Sequence, residues 1–151
     1  MPVTLQGHAV IAGAAHAVAL VSSEPLSFWG GYDYHTGTII DRRHPLAGTV
    51  AAGRVLCVPF TRGSSTTTAV LLEAVKAGTA PAAIVTTAVD PFFALASIVA
   101  DVMYAAPIPV IALAPADFAG LRSGMALRLA RDGTIVIDDD GTFAGSPQPY
   151  I

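Results

Sequence analysis

Charged side chains are scarce in this sequence, and so is cysteine. Charged residues make up 13% of the 151 residues, and the net charge is -3 at pH 7. The chain therefore lacks the basic surface that nucleic-acid binding needs. Its one cysteine, Cys57, cannot form an internal disulfide or hold a metal cluster by itself, which favours a reducing, cytoplasmic compartment. No uninterrupted apolar segment reaches the roughly 18 to 20 residues of a transmembrane helix.

Apolar residues, in contrast, are abundant. They make up 53% of a chain that is long enough to bury a core as one domain. We therefore expect a single domain over residues 1–151, with an irregular tail from about residue 139. The excess of apolar over charged side chains predicts that a partner protein covers part of the surface.

Strand-like and helix-like segments alternate in the middle of the chain. Such alternation favours a parallel sheet covered by helices, whereas both ends of the chain are typical of antiparallel strands. We expect an α/β fold of three layers, β/β/α, with a mixed sheet. The predicted strands are residues 3–11, 15–21, 38–41, 54–60, 82–86, 107–113, 125–130 and 134–138. The first two are expected to join at Gly13 as a hairpin or corner, and the last two to form a hairpin. The predicted helices are one that ends at Gly78, then 91–104 and 115–121.

A small polar turn, Arg62–Thr66, lies between a predicted strand and the first predicted helix. Gly63 lets the backbone come close to a ligand, and Ser64 or Ser65 can cap the helix. The unpaired N–H groups at the helix start favour an anion, and Arg62 adds a guanidinium that fits a carboxylate or phosphate. A serine cap without a ligand is the simpler alternative, but the combination favours a binding site.

Two other segments are candidates for a site. Trp29 is followed by Gly30 and Gly31, where the chain either turns sharply or approaches a ligand. The loop Arg42–His44 carries three groups that can be cationic. Such a loop is either a solvated surface or, if it lies near the polar turn, a means of binding an acidic substrate or a partner.

Short motifs follow one another in a fixed order from about Leu5 to the final hairpin. They are Pro25–Gly31, Asp33, Thr36-Gly37, Ile40-Asp41, His44–Leu46, Gly48, Ala52–Leu56, Arg62–Ser65 and Gly78–Ile84. Together they resemble the swivelling domain of the aconitase X family. The resemblance implies a swivelling β/β/α fold. It also implies that the chain is the small subunit of a two-chain hydro-lyase, inactive alone, whose active site lies between the chains.

The resemblance also implies roles for the polar turn. Aconitase-like enzymes use a serine of a Gly-Ser-Ser turn as an alkoxide base, and Ser64 matches that serine. An iron–sulfur cluster or iron is expected on cysteines of the large subunit, and no metal ligand is expected in this chain. The remaining expected site residues are Arg62, Gly63, Ser65 and Thr66 for substrate binding, with Trp29, Gly30, Gly31 and His44 as a second set.

The substrate implied by the resemblance is a hydroxy acid. Aconitases place Arg-Glu after the two serines, whereas this chain has Thr66-Thr67, which argues against citrate. The family dehydrates cis-3-hydroxy-L-proline or mevalonate 5-phosphate, and Arg42, Arg43 and Arg62 are candidates for a phosphate site. A composition rich in alanine and arginine with one lysine is more typical of a high-GC bacterium. We therefore favour the hydroxyproline reaction, with mevalonate 5-phosphate dehydration as the alternative.

Two alternatives belong to other functional classes. Swivelling phosphohistidine carriers also have a glycine-rich turn and an Ile-Pro-Val strand, here Ile108–Val110. Their turn carries a histidine, however, and this turn has Ser64, Ser65 and Thr66 instead. The other alternative is a non-catalytic scaffold subunit.

Overall fold

The computed structural model describes residues 3–62 and 66–138. Gly63, Ser64 and Ser65 and the tail from residue 139 lie outside the described residues. The elements are β1 (Val3–Gln6), β2 (His8–Ile11), β3 (Ala15–Val21), β4 (Tyr32–Asp33), β5 (Thr38–Ile39), β6 (Val55–Cys57), α1 (Thr66–Ala77), β7 (Ala83–Thr86), α2 (Pro91–Tyr104), β8 (Val110–Ala112), α3 (Pro115–Phe118), β9 (Ala126–Leu129) and β10 (Thr134–Ile137).

The main sheet is mixed, as predicted. Its strand order is β1-β10-β9-β3-β6-β7-β8-β2, with parallel pairing from β3 through β8 and antiparallel pairing elsewhere. Strands β4 and β5 form a separate two-stranded sheet. The first two strands are consecutive in the chain but lie at opposite ends of this order, so the sheet curls into a nearly closed barrel. The predicted hairpin of β9 and β10 is confirmed.

The N-terminal strands differ from the prediction. The expected strand 3–11 is divided at Gly7, and β2 pairs with β8 rather than forming a hairpin with β3. A side chain at Gly7 would collide with the side chain of Ile111 and would lie 2.9 Å from the carbonyl oxygen of Ala112. The Gly7 N–H donates to the Gly133 carbonyl at 2.9 Å. Glycine therefore lets the chain cross between the two ends of the curled sheet.

Two apolar cores lie on opposite sides of the parallel strands. Because side chains alternate along a strand, Leu56 and Ile84 face the core under α1 and α2, whereas Val55 and Val85 face the core under the antiparallel strands. The two helices bury one face each in the first core. Helices, parallel strands and antiparallel strands are therefore the three layers, and the predicted β/β/α fold is confirmed.

The two long helices begin at the same end of the parallel strands. Helix α1 follows β6 after a short loop, and α2 follows β7. The predicted limits of α2 are correct, and Gly78 directly follows α1 with a φ of 78°. Arg62 and Thr66, the described residues of the polar turn, therefore lie at the carboxyl ends of parallel strands, where α/β folds bind their ligands. No helix in the described ranges has the length and apolar composition needed to cross a bilayer.

Candidate active site

A polar cleft with a volume of about 440 Å³ lies beside the chain segment that leads into α1. The loops after β3 and after β5 form two of its walls, and the segment after β6 forms the third. Three loops that are distant in sequence therefore meet at one place. The lining residues are Glu24, Pro25, Ser27, Asp41, Arg42, Arg43, His44 and Arg62.

Arg62 is held in this cleft by its main chain. Its N–H donates to the Leu26 carbonyl at 2.9 Å, and Leu26 also forms a parallel bridge with Thr61. The Thr61 N–H and hydroxyl both donate to Oδ2 of Asp90, at 2.8 and 3.0 Å. These contacts fix the chain immediately before Gly63, while the Arg62 side chain remains exposed.

Asp90 is the positioning residue that sequence reasoning missed. It is buried, and its Oδ1 accepts from the N–H groups of Phe92 and Phe93 at 3.0 and 3.3 Å, which caps α2. One carboxylate thus joins the start of α2 to the segment that leads into α1. The signal was present in the sequence, because an aspartate directly before Pro91 is typical of a helix start.

His44 supports the cleft from within. The side chain is only 6% exposed, so the interpretation of this histidine as a solvated loop residue is wrong. Its Nδ1 accepts from the Leu46 N–H at 3.1 Å, which leaves Nε2 as the donor to the Glu24 carbonyl at 3.3 Å. His44 therefore bonds as a neutral ring and joins two walls of the cleft. Arg42 and Arg43 are the exposed cationic residues of this loop.

The Trp29 segment lies outside the set of lining residues. Trp29 is 72% exposed, whereas its neighbour Phe28 is buried and stacks on Tyr32 with 5.1 Å between ring centroids. Gly30 has a φ of 74°, and a side chain at Gly31 would collide with the Ser27 carbonyl oxygen. Both glycines are therefore explained by a sharp turn of the chain.

Three residues of the predicted turn, Gly63, Ser64 and Ser65, lie outside the described residues, and their roles stay predictions. The described part of the turn consists of Arg62, at the cleft, and Thr66, at the first position of α1. Both flanks of the turn are therefore fixed at the cleft and the helix start.

The donor groups of this chain do not fit an iron–sulfur cluster. Cys57 is fully buried in β6, where burial raises the pKa of its thiol well above the usual range. Within the described ranges, no three His, Cys, Asp or Glu side chains are grouped so that they could hold a metal ion. A cluster needs several thiolates around one space, and one buried thiol cannot provide them.

Comparison with known proteins agrees with this geometry. The model of the aconitase X swivel domain matches residues 4–137. Cis-3-hydroxy-L-proline dehydratase of Pseudomonas aeruginosa is 42% identical over 104 residues, which is 69% of this chain and 18% of that protein. The small subunit of phosphomevalonate dehydratase from Methanothermobacter thermautotrophicus is 39% identical over 109 residues, which is 72% of this chain and 79% of that subunit.

A solved structure shares the fold. The crystal structure of Thermococcus kodakaraensis aconitase X in its holo-form superposes with a TM-score of 0.81 at 30% identity, covering 90% of this chain and 98% of that one. The chain spans less than a quarter of the length of the two hydroxyproline dehydratases that it matches. The family model covers nearly every residue of the described fold, from β1 to β10. The chain therefore belongs to the aconitase X swivel-domain family.

Proposed function

We propose that this chain is the swivelling small component of an aconitase X type hydro-lyase that dehydrates cis-3-hydroxy-L-proline. The observation that carries the proposal is the polar cleft lined by Arg62, in a chain 42% identical over 104 residues to a dehydratase of that substrate. The cleft is lined mainly by polar and charged side chains, and its guanidinium groups suit the carboxylate of a small acid. Substrate binding is assigned to Arg62, Gly63, Ser65 and Thr66.

The proposed catalytic base is Ser64. Dehydration of a hydroxy acid removes a proton from carbon and expels hydroxide, so a base must face the reacting carbon. A serine holds its proton far above neutral pH and needs positive, donor-rich surroundings to act as an alkoxide. Arg62, two residues earlier, and the start of α1 at Thr66 support such surroundings.

A large aconitase X subunit is the proposed partner, and it is proposed to carry the iron–sulfur cluster or iron. Helix α2 supports this proposal, because its outer face, defined here as Leu95, Ile98, Val102 and Met103, is apolar and exposed. Val102 is 82% exposed, and Asp101 is the one charged residue of the helix. An apolar helix face of this kind is typical of a surface that another protein covers. The proposed compartment is the cytoplasm.

Dehydration of mevalonate 5-phosphate is the second candidate function. Two observations favour it: the chain matches 79% of a phosphomevalonate dehydratase small subunit, and three arginines surround the cleft. A phosphate is recognised by such guanidinium groups. Ser64 is the proposed base in either reaction, so the two candidates differ in substrate alone.

The test is anaerobic co-purification with the large aconitase X subunit, followed by assay of both substrates. We expect a brown complex with the absorption of an iron–sulfur cluster and turnover of cis-3-hydroxy-L-proline to a pyrroline carboxylate. The chain alone serves as the control and should be colourless and inactive. Turnover of mevalonate 5-phosphate instead would select the second candidate. A complex without turnover of either substrate would overturn both.

A further inference from the structure

We propose that Arg42 and Arg43 bind the non-reacting anionic group of the substrate, a carboxylate or a phosphate, and that their loop thereby selects the substrate. This inference rests on the proposed function and names the residues that determine substrate specificity. Both arginines line the 440 Å³ cleft together with Arg62. The three come from two loops separated by nearly twenty residues of sequence, and the fold brings them together.

Among the residues that the structure describes, no carboxylate neutralises the charge of these arginines. In residues 3–62 and 66–138, the ion pairs involve His16, Arg128 and Asp138, and no carboxylate lies within 4 Å of the three cleft guanidinium groups. Three cations around one small space repel each other, and a bound oxyanion relieves that repulsion. Guanidinium groups also match the geometry of carboxylates and phosphates, with two parallel N–H···O bonds.

The loop that carries Arg42 and Arg43 is fixed before any ligand binds. Asp41 Oδ1 accepts from the Arg43 N–H at 3.0 Å, and the Asp41 carbonyl accepts from the His44 N–H at 3.0 Å. The Ile40 N–H donates to the Gly31 carbonyl at 2.9 Å. The buried ring of His44 then joins this loop to Glu24. A loop held in this way loses little conformational entropy when it binds an anion.

The cleft also carries two carboxylates, Glu24 and Asp41. Against three guanidinium groups they leave the cleft with a net positive charge. A zwitterionic amino acid would place its carboxylate near the arginines and its ammonium near the carboxylates. A phosphate would use the arginines alone and be opposed by Glu24 and Asp41. Both kinds of substrate offer an oxyanion to the arginines. Titration with the two probes distinguishes a carboxylate from a phosphate.

The binding test uses the full 151-residue chain, with inorganic phosphate and L-proline as probes. Binding is measured from the NMR shifts of the arginine side-chain N–H groups. We expect one of the two probes to bind. The double variant Arg42→Gln/Arg43→Gln should lower the affinity for that probe about 10- to 100-fold, because charged hydrogen bonds are lost. Arg122→Gln/Arg131→Gln, which changes two exposed arginines outside the cleft, should alter affinity less than about twofold.

The outcomes are distinct. Tighter binding of L-proline assigns the loop to an amino acid, and tighter binding of phosphate assigns it to a phosphorylated acid. If neither probe binds the unmodified chain, or if the control variant weakens binding equally, the inference is wrong. Unchanged thermal unfolding of each variant shows that the loss is not a folding defect. Arg42→Lys/Arg43→Lys should retain part of the affinity, because lysine keeps the charge but not the planar fork.

A kinetic test in the assembled enzyme separates this inference from the proposed function. Turnover by the unmodified complex tests the proposed function alone. We expect Arg42→Gln/Arg43→Gln to raise KM about 10- to 100-fold with a smaller change in kcat, because the lost contacts bind substrate and transition state alike. Turnover with an unchanged KM would overturn the inference and leave the function intact. A complex without turnover would overturn the function, and the probe titration would still decide the inference.

Discussion

Helices α1 and α2 pack against each other on the same side of the sheet, but their outer faces differ. Helix α1 exposes Glu73 and Lys76, as a helix on a water-facing surface normally does. The outer face of α2 is apolar, although its buried residues, such as Phe93, serve the same core. Folding therefore does not require the apolar outer face of α2. The proposed function assigns the start of α1 to the substrate site and the outer face of α2 to the contact with the large subunit.

The sharpest test of this difference is at the segment before α1. Ser64→Ala removes the proposed base, and loss of a general base typically slows turnover by about 100- to 10,000-fold. Because the outer face of α2 is unchanged, we expect the complex with the large subunit to assemble normally. Turnover is measured on the co-purified complex, and assembly by size-exclusion chromatography. Ser23→Ala, at an exposed serine outside the cleft lining, is the control. Unchanged turnover in Ser64→Ala would leave only the scaffold alternative.

The converse test changes the outer face of α2 and measures association with the large subunit. Ile98→Asp/Val102→Asp places two carboxylates on its apolar outer face and, if the large subunit covers that face, buries them without partners. We expect association to weaken by at least about 100-fold. Both positions are exposed, so the unfolding temperature of the chain should change little. Association is measured by titrating the chain against the purified large subunit.

The matched control adds the same two charges to the neighbouring helix. Ala69→Asp/Ala77→Asp alters exposed positions of α1 and should leave association unchanged. Equal losses in both variants would show that net charge rather than the α2 surface governs assembly. An α2 variant that still associates normally would overturn the assignment of α2 to the interface.

Asp90 connects the two helices, and its removal should affect both. Asp90→Ala removes four hydrogen bonds, two to Thr61 and two to the first turn of α2. We expect the free energy of unfolding to fall by about 2 to 4 kcal/mol, measured by urea denaturation. Thr61→Val removes the hydroxyl bond alone and should cost about 1 kcal/mol. Equal costs for the two variants would show that neither the cap on α2 nor the bond from the Thr61 N–H contributes.

Local signals in the sequence were sufficient to place α2. Its start is specified by Asp90 and Pro91, and the long apolar segment that follows is typical of a helix packed on a sheet. The division at Gly7 could not be predicted in the same way. It depends on the side chain of Ile111, more than one hundred residues later in the chain, and so on how the sheet closes.

The candidate site was predicted only in part for the same reason. The residue pattern indicated the polar turn, and the resemblance to aconitase X implied the roles of its residues; the family is confirmed. Arg62 meets Arg42 and Arg43 because the segment after β3 contacts both loops: the Leu26 carbonyl accepts from the Arg62 N–H, and the Gly31 carbonyl accepts from the Ile40 N–H. No local pattern specifies these contacts. The burial of His44 likewise depends on a carbonyl twenty residues earlier, at Glu24. Local patterns predict helix ends, whereas the cleft depends on contacts between distant segments.

The last expected effect concerns the two apolar cores, which lie on either side of the parallel strands. Burial raises the pKa of Cys57 and of Tyr32 above their usual ranges. In the unfolded chain a thiol loses its proton near pH 8.5 and a tyrosine near pH 10, while the folded chain keeps both protons. The folded state therefore binds more protons at these two groups, so their contribution to stability is constant below about pH 8.5 and falls as the pH rises above it.

For Cys57 the expected loss is about 2 kcal/mol between pH 8.5 and pH 10, measured by urea denaturation at a series of pH values. Cys57→Ala removes the titrating thiol and should flatten this part of the profile, although the smaller side chain lowers stability at every pH. Iodoacetamide should also label Cys57 only after denaturant is added, because the buried thiol is neither ionised nor accessible. Rapid labelling of the folded chain would show that β6 opens to solvent. In that case the parallel strands on which the two helices pack would not be the rigid support that the comparison between them assumes.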